Sequence, residues 1–424
     1  LARQKMIKKY LSRIQRSAIF KNFLSLSIAE LISRSVSLIT FAYLARILSP
    51  KGFGIIAFAS AFVFYFSLLV NFGLDTYGTR EIAIGSYLQS KFVNTIITLR
   101  LLFAVLLFVV LTITAILFSQ SLVTKVALII SGINLFSTAI SIDWYFQGIQ
   151  KMKSVAARQI GVSILNFVLI LGFVRNQNDV LIAVLITGVS LFINSGLLLK
   201  YYSNSFHKIS LEYDAELIKK IIIESAPIAL SSVMIAIYYN LDIVMLGYMK
   251  SDYEVGIYNA AVKLFLIGNI LYGLILKSFF PALSVSNKNV KKLIDDVFKK
   301  YFIAMLTTGI FISVIMYSLS GDIINLVYGE RYNPASNVLK ILAMNSAVVC
   351  INMIFGNPLL AWGLQCKYFL IVGTGAIINI ILNVTLIPKY SYIGAGVATL
   401  FSEAAVFTAL FLIYNFSLKA IDEI

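Results

Sequence analysis

Apolar residues run along the chain in stretches of about twenty, each long enough to cross the bilayer's hydrocarbon core as a helix. Short clusters of charged and turn-forming residues interrupt them. The pattern predicts about twelve spans, near 22-44, 54-73, 95-118, 122-145, 158-174, 179-200, 221-247, 255-280, 300-319, 337-361, 367-387 and 392-415. No connection between them has room for a soluble domain. The longest, "YYSNSFHKISLEYDAELIKK" from Tyr201 to Lys220, follows the sixth span. The expected class is therefore an all-α integral membrane protein with an N-terminal six-helix bundle over 1-200, a cytoplasmic linker over 201-220 and a C-terminal six-helix bundle over 221-424.

Composition agrees: 59% of residues are hydrophobic and 13% charged, more apolar surface than a soluble fold of this length hides. The basic opening "ARQKMIKKYLSRIQRSAIFK" leads into a full-length span without a small-residue cleavage site, so residues 1-21 are expected to be a cytoplasmic segment and the first span to remain as helix. A cytoplasmic N-terminus puts about three times as many Lys and Arg in inside loops as in outside ones, which places both termini in the cytoplasm. The net charge of +16 is then topology and attraction to anionic head groups, not a nucleic-acid signal.

Charges inside the spans change the picture. Each costs roughly 2.5 to 3.5 kcal/mol at a helix centre on insertion scales, so each is expected to meet a partner or a wet cavity. Glu30 and Arg34 are central in the first span, Glu403 in the last, Lys263 about two turns into the eighth, and Arg100 a turn or more into the third. Glu224 and Asp242, five turns apart, fall on one face of the seventh, near Ser231 and Tyr238 or Tyr239; Asn259 and Lys263 share a face of the eighth.

Plainer readings stand beside these. Glu30 and Arg34 can be a local pair that lets the helix insert. Asp143, Lys277 and Lys340 lie near span ends, where side chains reach head groups. "IDDVFKK" from Ile294 reads as a solvated amphipathic face, and the "NVT" at Asn383 lies too deep for glycosylation. Cys350, Cys366 and His207 suit neither a metal site nor a disulfide framework, and no cofactor is expected. Phosphate-loop, HExxH, GxSxG and dinucleotide motifs are missing, which points to a transporter rather than an enzyme.

An internal repeat supports the halving. "LSPKGFGIIAFASA" and "MKSDYEVGIYNAAV" each link two spans and place Gly54 and Gly256 at the start of the second. Six spans per half is an even number, so the halves form a parallel repeat.

The runs "ARILSPKGFGIIAFASAF", "NFGLDTYGTREIA", "YYNLDIVMLGYMKSDYEVGIYNAAVKL", "FFPALS", "LVYGERYNPASNVLKILA" and "AIINIILNVTLIPKYSYIGAGVATLFSE" resemble, in order and spacing, the polysaccharide-biosynthesis flippases, the O-antigen and capsule translocases of the MOP exporter superfamily. The resemblance covers nearly the whole chain. It implies a V of two six-helix bundles in a bacterial inner membrane, moving undecaprenyl-diphosphate-linked oligosaccharide outward. It also implies cavity cations, for which Arg34 and Lys263 match, with Arg100 and Asn259 as further substrate-binding candidates. Glu30, Asp242, Glu403 and Glu224 are candidates for ion coupling or charge pairing. Partners would be a polymerase and glycosyltransferases, and the chain is expected to act as a monomer. Two other readings stay open: a drug or metabolite antiporter of the same superfamily, and a membrane-embedded glycan polymerase or ligase.

Overall fold

The computed structural model describes residues 18–422 apart from Ser86, Leu88, Phe118, Ser119, 285–290 and Gly363; within that range the side chains of 18–28, Tyr238, Tyr239, Pro281, Ser284, 291–296, Gln365 and 414–422 are left aside. The segment 1–17, most of the expected basic opening, lies outside the described residues, as do the side chains of Asp295 and Asp296 in "IDDVFKK".

The first helix, α1 (Ala18–Asn71), is two helices meeting at Ser49, whose φ of 63° leaves the helical region. Pro50 is the cause: it lacks an N–H, and its ring pushes the residue before it out of the α conformation. The last helix, α14 (Gln365–Asp422), is broken as well, at Ser391 (φ 52°), three residues beyond Pro388. Between them lie α2 (Leu74–Ile84), α3 (Gln89–Leu117), α4 (Leu122–Ser131), α5 (Ile133–Ala139), α6 (Asp143–Gly148), α7 (Met152–Phe173), α8 (Val180–Ser205), α9 (Ala215–Met249), α10 (Asp252–Ser284), α11 (Lys291–Ser318), α12 (Ser320–Tyr328) and α13 (Ala335–Ala361). Among the described residues, ten helical segments are long and apolar enough to cross a membrane, and the two longest contain the breaks at Ser49 and Ser391.

Two features depart from the hydropathy pattern. The stretch 122-145 is three short helices: the chain turns at Gly132, and it leaves the helix again at Ser141, whose carbonyl accepts from the Trp144 indole (3.2 Å) and from Arg100 (3.0 Å). The polar stretch after Asn71 is the helix α2, set off by Gly73 (φ 72°) and Gly85 (φ 77°). Gly73 is required twice over. Its φ is left-handed, and a Cβ there would lie 2.8 Å from the backbone nitrogen of Ala229 on α9.

The chain divides into two compact units, one running to Ile47 and resuming over Phe62–Val233, the other comprising Leu48–Ala61 and Met234 onward. The later division falls within α9, between Val233 and Met234. α8 continues to Ser205, and the segment beyond is bonded into the first unit: buried Asn94 donates to Ser210 (2.8 Å) and Glu212 (3.0 Å), and Lys91 pairs with Asp214 (2.7 Å). A chain whose polar groups are held this way is part of the unit rather than a tether.

The first unit has an aromatic core in which Trp144, Tyr145, Phe92, Tyr77 and Tyr202 are fully buried. In the second, Phe53 packs against Tyr328 and Tyr332 with ring centroids 6.3 and 6.2 Å away. In lipid, helix association rests on such packing and on small residues rather than on the hydrophobic effect. The repeat glycines meet within the second unit. A Cβ on Gly54 would run into the carbonyl oxygen of Asp252, and one on Gly256 into that of Pro50. Each clash partner lies four residues before the opposite glycine, so the contact is reciprocal.

Candidate functional site

Three helices of the first unit carry polar residues at helical spacing. On α1 these are Ser33, Ser37 and Thr40; on α7, Gln159, Ser163 and Asn166; on α8, Thr187, Ser190 and Asn194. Each set steps by three or four residues and so lies on one face. The three faces line one cavity of about 320 Å³, with Phe41, Leu44 and Val162 as apolar wall. Arg34 lines it as well, and it is the one charged residue to do so.

Arg34 is held from its own helix. Its Nη2 lies 2.6 Å and its Nε 3.1 Å from the same Glu30 oxygen, one turn earlier. The side chains are 58% and 37% exposed on the unit's surface, and among the described residues no second carboxylate pairs with Arg34. An exposed pair of this kind contributes little to stability, about 0 to 1 kcal/mol in water, so the guanidinium is neutralised without being locked.

The other cations of this unit are placed differently. Arg100, expected to bind substrate, is 1% exposed and donates to Asp75 (2.8 Å), Asn71 (2.5 Å) and the Ser141 carbonyl (3.0 Å). It does not line the cavity; it ties α1, α2 and α3 to the break before α6. Arg158 does the same for α6, α7 and α8 through Asp143 (2.5 Å) and the Asn194 carbonyl (2.8 Å). Asp143, read from sequence as a head-group residue, is thus an internal ion-pair partner. Glu224 is 3.1 Å from Arg80 in the first unit, while Asp242, on the same α9, belongs to the second. Tyr238 and Tyr239 lie outside the described side chains.

The second unit gathers acids. Asp242 is 6% exposed and accepts from Tyr258 on α10 (2.8 Å), from Asn383 (2.6 Å) and from Thr399 (2.7 Å), the last two on either side of the break in α14. Asn383 also donates to Asn379 (2.9 Å). One turn beyond Thr399, Glu403 is equally buried and accepts from Asn352 (2.5 Å). Both carboxylates line a small cavity of about 50 Å³ with Asn269, Asn345, Tyr258 and Thr399, and no Lys or Arg is among its lining residues. A buried carboxylate is costly unless its charge is met, and Asp242 is faced by three neutral donors, so this site suits a proton or a small cation that oxygen atoms ligate. Asn259 is buried nearby in sequence on α10, and half-buried Lys263 follows one turn later outside this lining.

Sequence reasoning singled out Arg34, Asp242 and Glu403 but missed their company. The stripes on α7 and α8 were visible as Asn, Gln and Ser at three- and four-residue steps in otherwise apolar spans. Tyr258 and Thr399 carried no such signal, because their role depends on a contact with a helix far away in sequence. Asn383 was set aside as an improbable sequon, and its amide is in fact fully buried against Asp242.

Comparison with known proteins adds three findings. Residues 19–287 match a family described as "Polysaccharide biosynthesis protein". Over 95% of its length the chain is 26% identical to a "Putative O-antigen transporter" of Shigella dysenteriae, covering 99% of it, and over 93% it is 25% identical to the "Capsular polysaccharide biosynthesis protein CapF" of Staphylococcus aureus, covering 98%. Among solved structures, "Lipid II flippase MurJ, inward closed conformation" superposes with a TM-score of 0.73 over 93% of this chain and 87% of that one, at 16% identity, a likeness of fold.

Proposed function

Because this chain belongs to the family of polysaccharide biosynthesis proteins, we propose that it is a transporter that moves a lipid-linked oligosaccharide across the membrane by alternating access, for surface polysaccharide assembly. The observation that carries the reading is Arg34 lining a polar cavity, neutralised among the described residues only by its neighbour Glu30. A polyprenyl diphosphate brings two or more negative charges to membrane depth, and a guanidinium meets them with paired, charge-assisted hydrogen bonds. Glu30 then holds Arg34 while the cavity is empty and yields when the anion arrives. Lys263, in the second unit, is the second cation candidate of the reading.

The membrane potential favours outward movement of an anionic head group by roughly 2.3 kcal/mol per charge per 100 mV, so nucleotide hydrolysis is not required. Coupling to an ion is the role we assign to the second unit. Asp242, with Asn383, Thr399 and Tyr258 around it and Glu403 one turn away, binds a proton or a small cation. Arg100 and Glu224 are given structural roles instead, as their ion pairs support.

Counting each broken helix as two spans turns ten into twelve, six in each half, in a bacterial inner membrane with both termini in the cytoplasm. The reciprocal Gly54 and Gly256 contact supports the parallel repeat, since equivalent positions of a duplicated sequence meet face to face. The protein acts as a monomer beside a polymerase and glycosyltransferases that make and consume its substrate. Deletion of the gene should leave lipid-linked oligosaccharide accumulating on the cytoplasmic leaflet. Normal export after deletion, or transport of a soluble compound by the purified protein instead, overturns the reading.

A further inference from the structure

The cavity of the first unit holds more hydrogen-bonding capacity than the protein uses. Three of its hydroxyls are satisfied along their own helices: Thr40 donates to the Val36 carbonyl (2.8 Å), Ser163 to Gln159 (2.8 Å) and Thr187 to Ala183 (2.9 Å). That is the usual course for a hydroxyl in an apolar helix. Ser33 and Ser190 differ. They are 5% and 3% exposed, and among the described residues their Oγ atoms have no partner. The Oδ1 atoms of Asn166 and Asn194 are likewise buried and unpartnered. Buried polar atoms are rarely left so, and here four of them, from three helices, line one cavity.

Their chemistry selects a ligand class. Amide carbonyl oxygens accept, and hydroxyls donate or accept. Among the cavity's lining residues none is acidic, and Arg34 is the one cation. Such a set matches a ring carrying hydroxyl or amide N–H groups, whereas a carboxylate there would face two carbonyl oxygens. The volume of about 320 Å³ lies at the lower end of small-molecule pockets, roughly 300 to 1,000 Å³, and suits one sugar ring rather than a chain. Arg34 marks the end at which a diphosphate would sit.

We infer that this cavity is the subsite for the sugar attached directly to the carrier diphosphate, and that it takes an uncharged hexose or acetamido-hexose. Asn166 and Asn194 accept from that sugar's hydroxyl or amide N–H groups, and Ser33 and Ser190 complete its hydrogen bonds. The inference rests on the flippase reading and deepens it. It places recognition of the first sugar within the first unit alone, separate from the acids of the second.

The test uses the full-length protein in phospholipid nanodiscs and two probes, undecaprenyl diphosphate and the same carrier bearing one N-acetylglucosaminyl residue. Wild type should bind the sugar-bearing probe about tenfold more tightly, the gain of one or two net hydrogen bonds. Asn166→Ala combined with Asn194→Ala should bring the two affinities together while leaving that for the bare carrier unchanged. Ser33→Ala with Ser190→Ala guards against misfolding. Removing hydroxyls that have no protein partner should keep or raise the melting temperature, yet cut the preference about threefold. Equal affinity of wild type for both probes, or an undiminished preference in both variants, overturns the subsite and leaves the flippase reading standing. Failure of wild type to bind either probe above phospholipid overturns both.

Discussion

The two cavities, one in each unit, are built from opposite materials. That of the first unit is roomy, lined by neutral amides and hydroxyls, and edged by a half-exposed guanidinium that pairs with Glu30 on its own helix. That of the second is small, and its two carboxylates are each 6% exposed, with three donors fixed on Asp242. Under the proposed function, the charge that meets a bulky ligand is loosely tethered, and the charge that handles a proton or small ion is buried and pre-arranged. The difference follows from desolvation. Stripping water from a carboxylate costs several kcal/mol, which hydrogen bonds or a bound cation must offset, whereas an exposed ion pair has little to lose when it opens.

The sharpest break would come at Arg34. Arg34→Ala removes two charge-assisted hydrogen bonds to the head group, each about 1.5 to 3 kcal/mol, so glycan export should fall by about 100-fold or more at unchanged protein abundance. Arg34→Lys should retain part of it, since an ammonium keeps the charge without the planar fork. If Arg34 merely balances Glu30, then Glu30→Gln together with Arg34→Gln will export at the wild-type rate, and the contrast between the cavities loses its first half.

A smaller effect on export, and a larger one on stability, is expected at Asp242. Asp242→Ala leaves the buried Tyr258 hydroxyl without its acceptor, while Asn383 and Thr399 keep Asn379 and the Ala395 carbonyl, and should destabilise the purified protein by about 1 to 3 kcal/mol. Asp242→Asn keeps the shape without the charge. It should remain folded while transport loses its dependence on a proton or sodium gradient across proteoliposomes. Gradient-dependent transport by that variant would remove the coupling role from the second cavity. Glu403→Gln, with Asp242 intact, should change stability by no more than about 1 kcal/mol and shift the gradient dependence only in part.

The smallest effect belongs to a carboxylate outside both cavities. Asp214 accepts from the Leu217 backbone N–H (3.0 Å) and pairs with Lys91 (2.7 Å), which hold its acid below the ordinary carboxylate value. A depressed pKa stabilises the fold above the unfolded value and loses that contribution as pH falls through the folded one. Asp214→Asn should therefore melt slightly lower than wild type at neutral pH and alike at pH below the usual carboxylate range, with export unchanged. A transport defect in this variant would mean that the site of function extends beyond the two cavities.

Much of this was legible beforehand. Hydropathy located the spans because a bilayer admits only helices that satisfy their own backbone, so twenty apolar residues in a row have few alternatives. Arg34 with Glu30, and Asp242 with Glu403, stood out because each charge in such a run is expensive. The helix α2 was not legible: its residues are polar enough to read as a loop, and its ends depend on Gly73 and Gly85 adopting left-handed backbone. The partners of Arg100 were not legible for a related reason. A buried arginine looks the same in sequence whether it faces a ligand or an Asp75 that lies on a different helix.

The sequence by itself determined the solvent, the class of fold and the places where charge enters the membrane, because these depend on local composition and on periods of three to four residues. It also carried the repeat that brings Gly54 against Gly256, although not the contact itself. Only the tertiary structure decided which charges are spent on holding helices together and which are left facing a cavity. That distinction depends on distances between residues of different helices, 25 positions apart for Arg100 and Asp75 at 2.8 Å and 141 apart for Asp242 and Asn383 at 2.6 Å. No pattern within one helix encodes them.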